Sequence, residues 1–406
     1  MTSAKARSPV PKSATTWSSM VRMLPTCEHA PMKLPPFRLE RYFARYEFTA
    51  PYMLCASDCE SISTAELLAF EPDAEARFLG LGLGYTEANG GRELREAITR
   101  LYETVTVDET LAHTGAGEAI FTFMNAALKP GDHAVVHAPG YQSLAEVARA
   151  AGAEVTAWRG DPANGWALDL DELEGMVTPS TRLVVINVPH NPTGFLPGRA
   201  FMQRLAALAE THDFRIFSDE VYRGLEHDPA DRLPAMVDLT PRATSLGVLS
   251  KTYGLAGLRI GWLASKDAAL LAEAAALKDY TTICNSAPSE FLAAIALRHH
   301  ERLADRNRAI VLRNLDLLDA FFARHAERFA WTRPKAGPIA YPGFLAGDVE
   351  AFCHDLVSSE GVLLLPGTLY GEGDAALRIG FGRANLPEAL PHLEAFLEAQ
   401  TDLTTW

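Results

Sequence analysis

The chain has 406 residues, 48% of them apolar and 22% charged, with a formal net charge of −14. That length and mix describe a globular protein with room for more than one domain, and the acidity argues against a nucleic-acid partner. Five cysteines, an odd and scattered set at 27, 55, 59, 284 and 353, do not make a disulfide framework. Cys55 and Cys59 lack the second Cys or His pair a metal site would need, so no metal is expected and the thiols are read as reduced. No apolar run is long enough to span a bilayer, and a reducing cytoplasm is the expected compartment.

Residues 1–37 carry Lys5, Arg7, Lys12, Arg22 and Lys33 against the single acid Glu28, among Ser, Thr and Pro. This composition suits a disordered or variable extension, with Met32 as a possible later start, and also suits an organelle transit peptide; the extension is preferred. Residues 38–69 are expected to pack with the C-terminal part of the chain. From Leu111 short apolar runs alternate with helical stretches: strands at His133–Ala138, Glu154–Trp158, Arg182–Val188, Arg215–Ser218 and Ser245–Leu249, with helical spacing in between, as over Arg199–Glu210. This is an α/β pattern with a mostly parallel central sheet between helices, assigned to a large domain over residues 70–289. Beyond it come a helical stretch from Phe291 to His325, short strands at Ile339–Phe344, Val362–Leu365 and Leu377–Phe381, and a helix over Pro387–Ala399. These make a smaller α+β domain, residues 290–406, completed by the N-terminal segment.

The polar motifs follow the apolar runs directly, where open α/β sheets bind ligands. Thr114-Gly115-Ala116-Gly117 opens a helix whose N-terminal amides suit a phosphate, and is also an ordinary helix-opening turn. Pro139-Gly140-Tyr141 offers a ring for stacking. In Pro189-His190-Asn191-Pro192-Thr193-Gly194 the prolines fix Asn191, as a hydrogen-bond donor to a ligand or as a helix cap. Asp219, in Ser218-Asp219-Glu220-Val221-Tyr222, ends an apolar strand, where a buried carboxylate needs a partner. Lys251, in Ser250-Lys251-Thr252-Tyr253-Gly254-Leu255-Ala256-Gly257-Leu258-Arg259, pairs an amine able to form a Schiff base with an arginine fork able to grip a phosphate. An aldehyde and a phosphate on one ring describe pyridoxal 5'-phosphate (PLP).

In this order the motifs resemble the fold-type I PLP enzymes of the class I/II aminotransferase family, over about Phe37 to Leu397. The resemblance implies that Lys251 carries the cofactor and moves the substrate proton. It implies that Asp219 pairs with the pyridine nitrogen and that Asn191 and Tyr222 hold the ring oxygen. Tyr141 would stack on the ring, and Gly115, Ala116, Gly117, Ser250 and Arg259 would hold the phosphate. Tyr85, in Gly84-Tyr85-Thr86, matches a family tyrosine that reaches the neighbouring subunit's phosphate, which implies a homodimer with shared sites. Arg378, in Leu377-Arg378-Ile379-Gly380, matches the clamp for the α-carboxylate of an L-amino acid, with a structural salt bridge as the rival role.

Three departures bear on substrate choice. Val248 stands where many relatives have a phosphate-binding Ser. Ala56-Ser57-Asp58-Cys59-Glu60 replaces a Gly-x-Pro turn, and no arginine lies between Lys278 and Arg298 to bind a second carboxylate. The motifs are similar to a narrower subgroup, the capreomycidine synthase-like enzymes, which carry out replacement and cyclisation on an arginine derivative. Asp58 and Glu60 are then candidates for holding a guanidinium or amine, or are solvated or capping charges. Amino transfer to a 2-oxo acid is the leading expectation, and lyase, cyclase or oxidase chemistry on arginine-like amino acids the alternative. A ligand-sensing domain of a transcription regulator is disfavoured, because the N-terminal extension is too short and polar for a winged helix.

Overall fold

The computed structural model describes residues 34–400 apart from position 372. Its largest sheet has seven strands: β1 (Thr110–His113), β2 (His133–Ala138), β3 (Glu154–Arg159), β4 (Thr181–Asn187), β5 (Arg215–Asp219), β6 (Ala243–Val248) and β7 (Gly261–Ser265). Their spatial order is β1-β7-β6-β5-β4-β2-β3, parallel throughout except for β7, which runs against both neighbours. The inner strands are apolar on both faces, as Leu183-Val184-Val185-Ile186 shows, because helices cover the sheet on either side. The five strands expected in this sheet are all present, with ends shifted by at most two residues, whereas the later expected strands Ile339–Phe344 and Val362–Leu365 are each broken into two short pieces. Two others, β1 and β7, are not foreseen. One is only four residues long and the other opens on a glycine, so neither presents a long β-branched run. The reversal at β7 follows from its connection. Between β6 and β7 the chain makes only a short 3-10 turn at Ala256–Leu258 and no crossover helix, so the strands pair antiparallel. That connection carries Lys251.

Register lines up the motif residues at the carboxyl edge. Asn187 lies opposite Asp219, and Asp219 opposite Leu246.

The expected helix over Phe291–His325 is two helices, Ala287–Arg298 and His300–Arg324. They part at His299, whose Nε2 lies 3.4 Å from a Glu71 carboxylate oxygen and whose ring sits edge-on to Phe70. The boundary expected at 289/290 therefore falls inside a helix. C-terminal to it, Leu377–Gly380 is the middle strand of a small sheet between Ile339–Ala340 and Leu365–Pro366. Tyr52–Met53 pairs in parallel with Val362–Leu363, so the segment after residue 38 does pack with the C-terminal part. Residues 1–33 of the expected extension lie outside the described residues. Its last residues are not free: the Gln142 side chain donates to the Pro36 carbonyl at 3.1 Å and accepts from the Arg38 amide at 2.9 Å. Among the described residues no helix is long and apolar enough to cross a membrane.

The loop after Met53 is pressed onto the strand Leu377–Gly380. The Gly380 amide donates to the Leu54 carbonyl at 2.7 Å, and a side chain at Gly380 would run into the Ala56 backbone. Gly380→Ala is expected to cost about 1–3 kcal/mol, typical of overpacking, read as a lower midpoint in chemical denaturation. An unchanged midpoint would mean that the loop yields freely.

Candidate active site

A cavity of about 410 Å³ opens at the carboxyl edge of the large sheet. Every residue expected at the site lines it except Gly115, Glu60 and Tyr85. Gly115 lies just behind, at φ +81, where a side chain would collide with the Arg259 guanidinium. Tyr85 is elsewhere, 92% exposed.

At one end is the N-terminus of the helix Ala116–Ala127, whose first amides have no intrahelical partners. Arg259 stands beside it, its Nη1 3.4 Å from Ser250 Oγ and from the Ala256 carbonyl, with no carboxylate partner among the described residues. Free amides, a hydroxyl and a guanidinium make a cradle for a phosphate.

In the middle lies Asp219, 4% exposed. Burial pushes its carboxyl up to about 7, against the weaker pull of the Val221 amide at 3.3 Å and of Lys251. Among the described residues no cation pairs with it. A pyridinium N–H supplies what this carboxylate lacks, so Asp219 and the phosphate cradle together fit PLP. Tyr141 forms a wall, its ring centroid 5.1 Å from that of Phe37, and burial raises its phenol's proton affinity.

At the far end is Arg378, 1% exposed and also without a carboxylate partner among the described residues. Its Nε and Nη2 donate to the Cys55 carbonyl at 3.1 and 2.7 Å, and its Nη1 to Tyr370 Oη at 2.7 Å and to Asn191 Oδ1 at 3.3 Å. The salt-bridge alternative for Arg378 is thus not what the geometry contains. Asn191 caps no helix either: its Oδ1 also accepts from Tyr370 Oη at 3.1 Å, leaving its amide hydrogens for the cavity.

Lys251 Nζ donates to Ser57 Oγ at 2.8 Å. Burial lowers its proton affinity, Asp58 raises it, and Arg378 lowers it further. Tyr222 Oη donates to the Ser57 carbonyl at 3.1 Å.

The expected role of Asp58 needs correcting. Its two oxygens take Nε and Nη2 of Arg383 at 3.1 and 3.0 Å, so its charge is already matched. Glu60 accepts from the Ala384 amide at 2.8 Å. The cavity's other carboxylates, Glu40 and Glu47, have no hydrogen-bonding or ionic partner among the described residues, and they share with Phe43 one face of the helical segment that starts at Arg38. Their spacing of three and four residues was the signal available in the sequence. For Ser57, Tyr370 and Arg383 there was none, since they meet the site through contacts across the chain. Cys55 and Cys59 are buried and unpaired, and burial holds the Cys55 thiol up at about 12.

Residues 73–393 match the family described as aminotransferase class I and II. The chain belongs to that family. Capreomycidine synthase of Streptomyces vinaceus is 32% identical over 363 residues, covering 86% of this chain and 90% of the relative. A PLP-dependent aminotransferase of Streptococcus suis superposes with a TM-score of 0.85 at 30% identity, covering 91% of this chain and all of that one. The PLP-dependent cyclase OrfR superposes at 0.83 and 30%, covering 92% of this chain and all of its own. The family implies PLP as cofactor and small amino and 2-oxo acids as substrates, and its relatives include both an aminotransferase and a cyclase.

Without cofactor, the folded protein holds a proton on Asp219 between pH ~4, where an unfolded aspartate releases it, and about 7. This group's contribution to stability is therefore largest at low pH and declines as pH rises through that window. Asp219→Asn is expected to remove that part of the decline, so that in urea melts of apo-protein the variant gains on the parent between pH 5 and 8. Parallel pH profiles would contradict the assignment.

Proposed function

We propose that this protein is a PLP-dependent enzyme that binds an L-α-amino acid through Arg378, removes its Cα proton with Lys251, and transfers the amino group to a 2-oxo acid. The observation that carries the reading is the pair of buried, unmatched charges: Arg378 for an incoming carboxylate and Asp219 for an incoming ring cation, with Lys251 lining the same cavity.

The bound cofactor would supply an aldehyde that condenses with amines and a ring that accepts the electron pair left when Cα–H breaks. The protein's own groups do the rest. Ala116, Gly117, Ser250 and Arg259 hold the phosphate and Tyr141 covers the ring. Asp219 stays ionised against the ring nitrogen, which would return its carboxyl toward an ordinary value. The Asn191 amide and the Tyr222 hydroxyl turn to the ring oxygen. The Arg378 fork fixes the substrate carboxylate and so the direction of Cα–H. Burial keeps Lys251 closer to its neutral form, which a base requires, and it holds the abstracted proton until it is returned.

A second reading is favoured by Glu40 and Glu47. Two carboxylates without partners at the cavity wall suit an amino acid with a cationic side chain, and replacement or cyclisation on such a substrate is the alternative outcome after Cα–H is broken. The likeness to capreomycidine synthase and OrfR supports this branch. The exposed apolar residues Leu79, Leu83, Tyr85, Tyr280 and Ile283 support a homodimer that covers them.

Incubation of the PLP-loaded protein with L-amino acids, followed by product analysis, separates the readings. A 2-oxo acid with the cofactor left as the amine form means amino transfer; a β-substituted or cyclic product with the cofactor unchanged means the second reading. Arg378→Ala is expected to lower kcat/KM about 10²–10³-fold, the loss of a charge-assisted bidentate contact, and an unaffected value would refute the clamp. Glu47→Gln is expected to raise KM for L-arginine about tenfold and leave KM for L-alanine unchanged; equal effects on both would remove the cationic-substrate reading.

A further inference from the structure

The loop between Leu54 and Glu60 is held more tightly than a substrate loop requires. The Cys55 carbonyl takes two donors from Arg378, and the Asp58 carboxylate takes two from Arg383. The Glu60 amide donates to the Gly382 carbonyl at 2.9 Å, and the Glu60 carbonyl accepts from Arg306 at 2.8 Å. Side chains at Gly380 and Gly382 would strike the backbones of Ala56 and Asp58. In the middle of this braced segment, Tyr222 Oη holds the Ser57 carbonyl, and the Ser57 hydroxyl receives Lys251 Nζ. A hydroxyl on a rigid backbone is a fixed acceptor for a flexible amine, and no other described residue accepts from that amine.

We propose that Ser57 is the positioning residue for Lys251: whenever the amine is free of the cofactor, Ser57 Oγ holds Nζ on the loop side of the cavity and favours its protonated form. This deepens the PLP reading and rests on it. In any reaction that begins with loss of the Cα proton, Lys251 must alternate between a neutral amine that accepts the proton and an ammonium that keeps it. The bond to Ser57 stabilises the second state, because an ammonium donates a stronger hydrogen bond than an amine. The same role keeps Nζ from swinging toward the Asp219 carboxylate.

The charged groups acting on Lys251 come from several elements. Asp58 and Asp219 favour the ammonium, as does Glu40 from the N-terminal helix, while Arg378 opposes it. Burial is the largest influence and lowers the proton affinity of Lys251; removing the Ser57 hydroxyl would take away the amine's one hydrogen-bond acceptor among the described residues and lower that affinity further.

The test uses apo-protein and PLP itself. The rate of PLP capture, followed by absorbance in stopped flow, depends on the fraction of Lys251 that is unprotonated. Its pH midpoint is expected to fall by about one unit in Ser57→Ala, the size of one hydrogen bond to a charged group. The midpoint is expected to return in Ser57→Thr, which restores a hydroxyl. Circular dichroism and melting of each variant register any damage to the fold. A midpoint unmoved in folded Ser57→Ala, or a shift that Ser57→Thr does not reverse, would overturn the role of Ser57 alone. Failure of the unsubstituted protein to capture PLP would overturn the cofactor reading and this role with it.

Discussion

Two buried charges of opposite sign, each without an ionic partner among the described residues, govern this molecule. Arg378 is nearly sealed from water with only neutral oxygens around it, and Asp219 is sealed with a backbone amide and a more distant lysine. Charge in such surroundings is costly; Arg378 keeps it, whereas without cofactor Asp219 avoids it by holding its proton up to about pH 7. A chain selected only for stability would pair or remove them. Both face one cavity, and on the proposed function a ligand bearing a ring cation together with a substrate bearing a carboxylate would neutralise both at once. The fold would then maintain the two groups at a cost in its stability that binding recovers.

The remaining architecture keeps these charges in place. Register between β4 and β5 sets Asp219 beside Asn187, whose side chain in turn takes the backbone amide of Asn191 at 2.7 Å. Asn191 then reaches Arg378, which lies far along the chain on a different sheet. Tyr370 closes this set from the turn between Leu365–Pro366 and Leu377–Gly380. Asp219 and Arg378 are thus linked through two asparagines, Asn187 and Asn191. Glu220, next to Asp219, is also buried, but Ser245 and the Met236 amide satisfy it, and it serves the packing of the sheet.

Much of this was legible in the sequence, for reasons that differ by residue. Parallel strands write themselves as apolar runs, most of them fully buried and Glu154–Arg159 a half-exposed edge, so five of the seven were visible, and the polar residues following four of those runs marked the cavity edge. The residues proposed to hold the cofactor sit within short contiguous motifs, which is why they could be read together. What stayed hidden depends on contacts between distant segments. Asp58 was legible as a carboxylate in the substrate loop, but its partner Arg383 follows a different strand, and no local pattern links the two. Glu40 lies in, and Glu47 just past the end of, a short helix beside a segment whose composition suggested disorder. At the break His299 contacts Glu71 and Phe70, which periodicity within the helix does not contain.

Reductive trapping tests the central claim most directly. The protein is incubated with PLP, treated with borohydride, digested, and the phosphopyridoxyl mass located by peptide sequencing. The account predicts a single modified residue, Lys251, and loss of the label in Lys251→Ala. Label at another lysine, or an unlabelled Lys251 in folded protein at saturating cofactor, would contradict it.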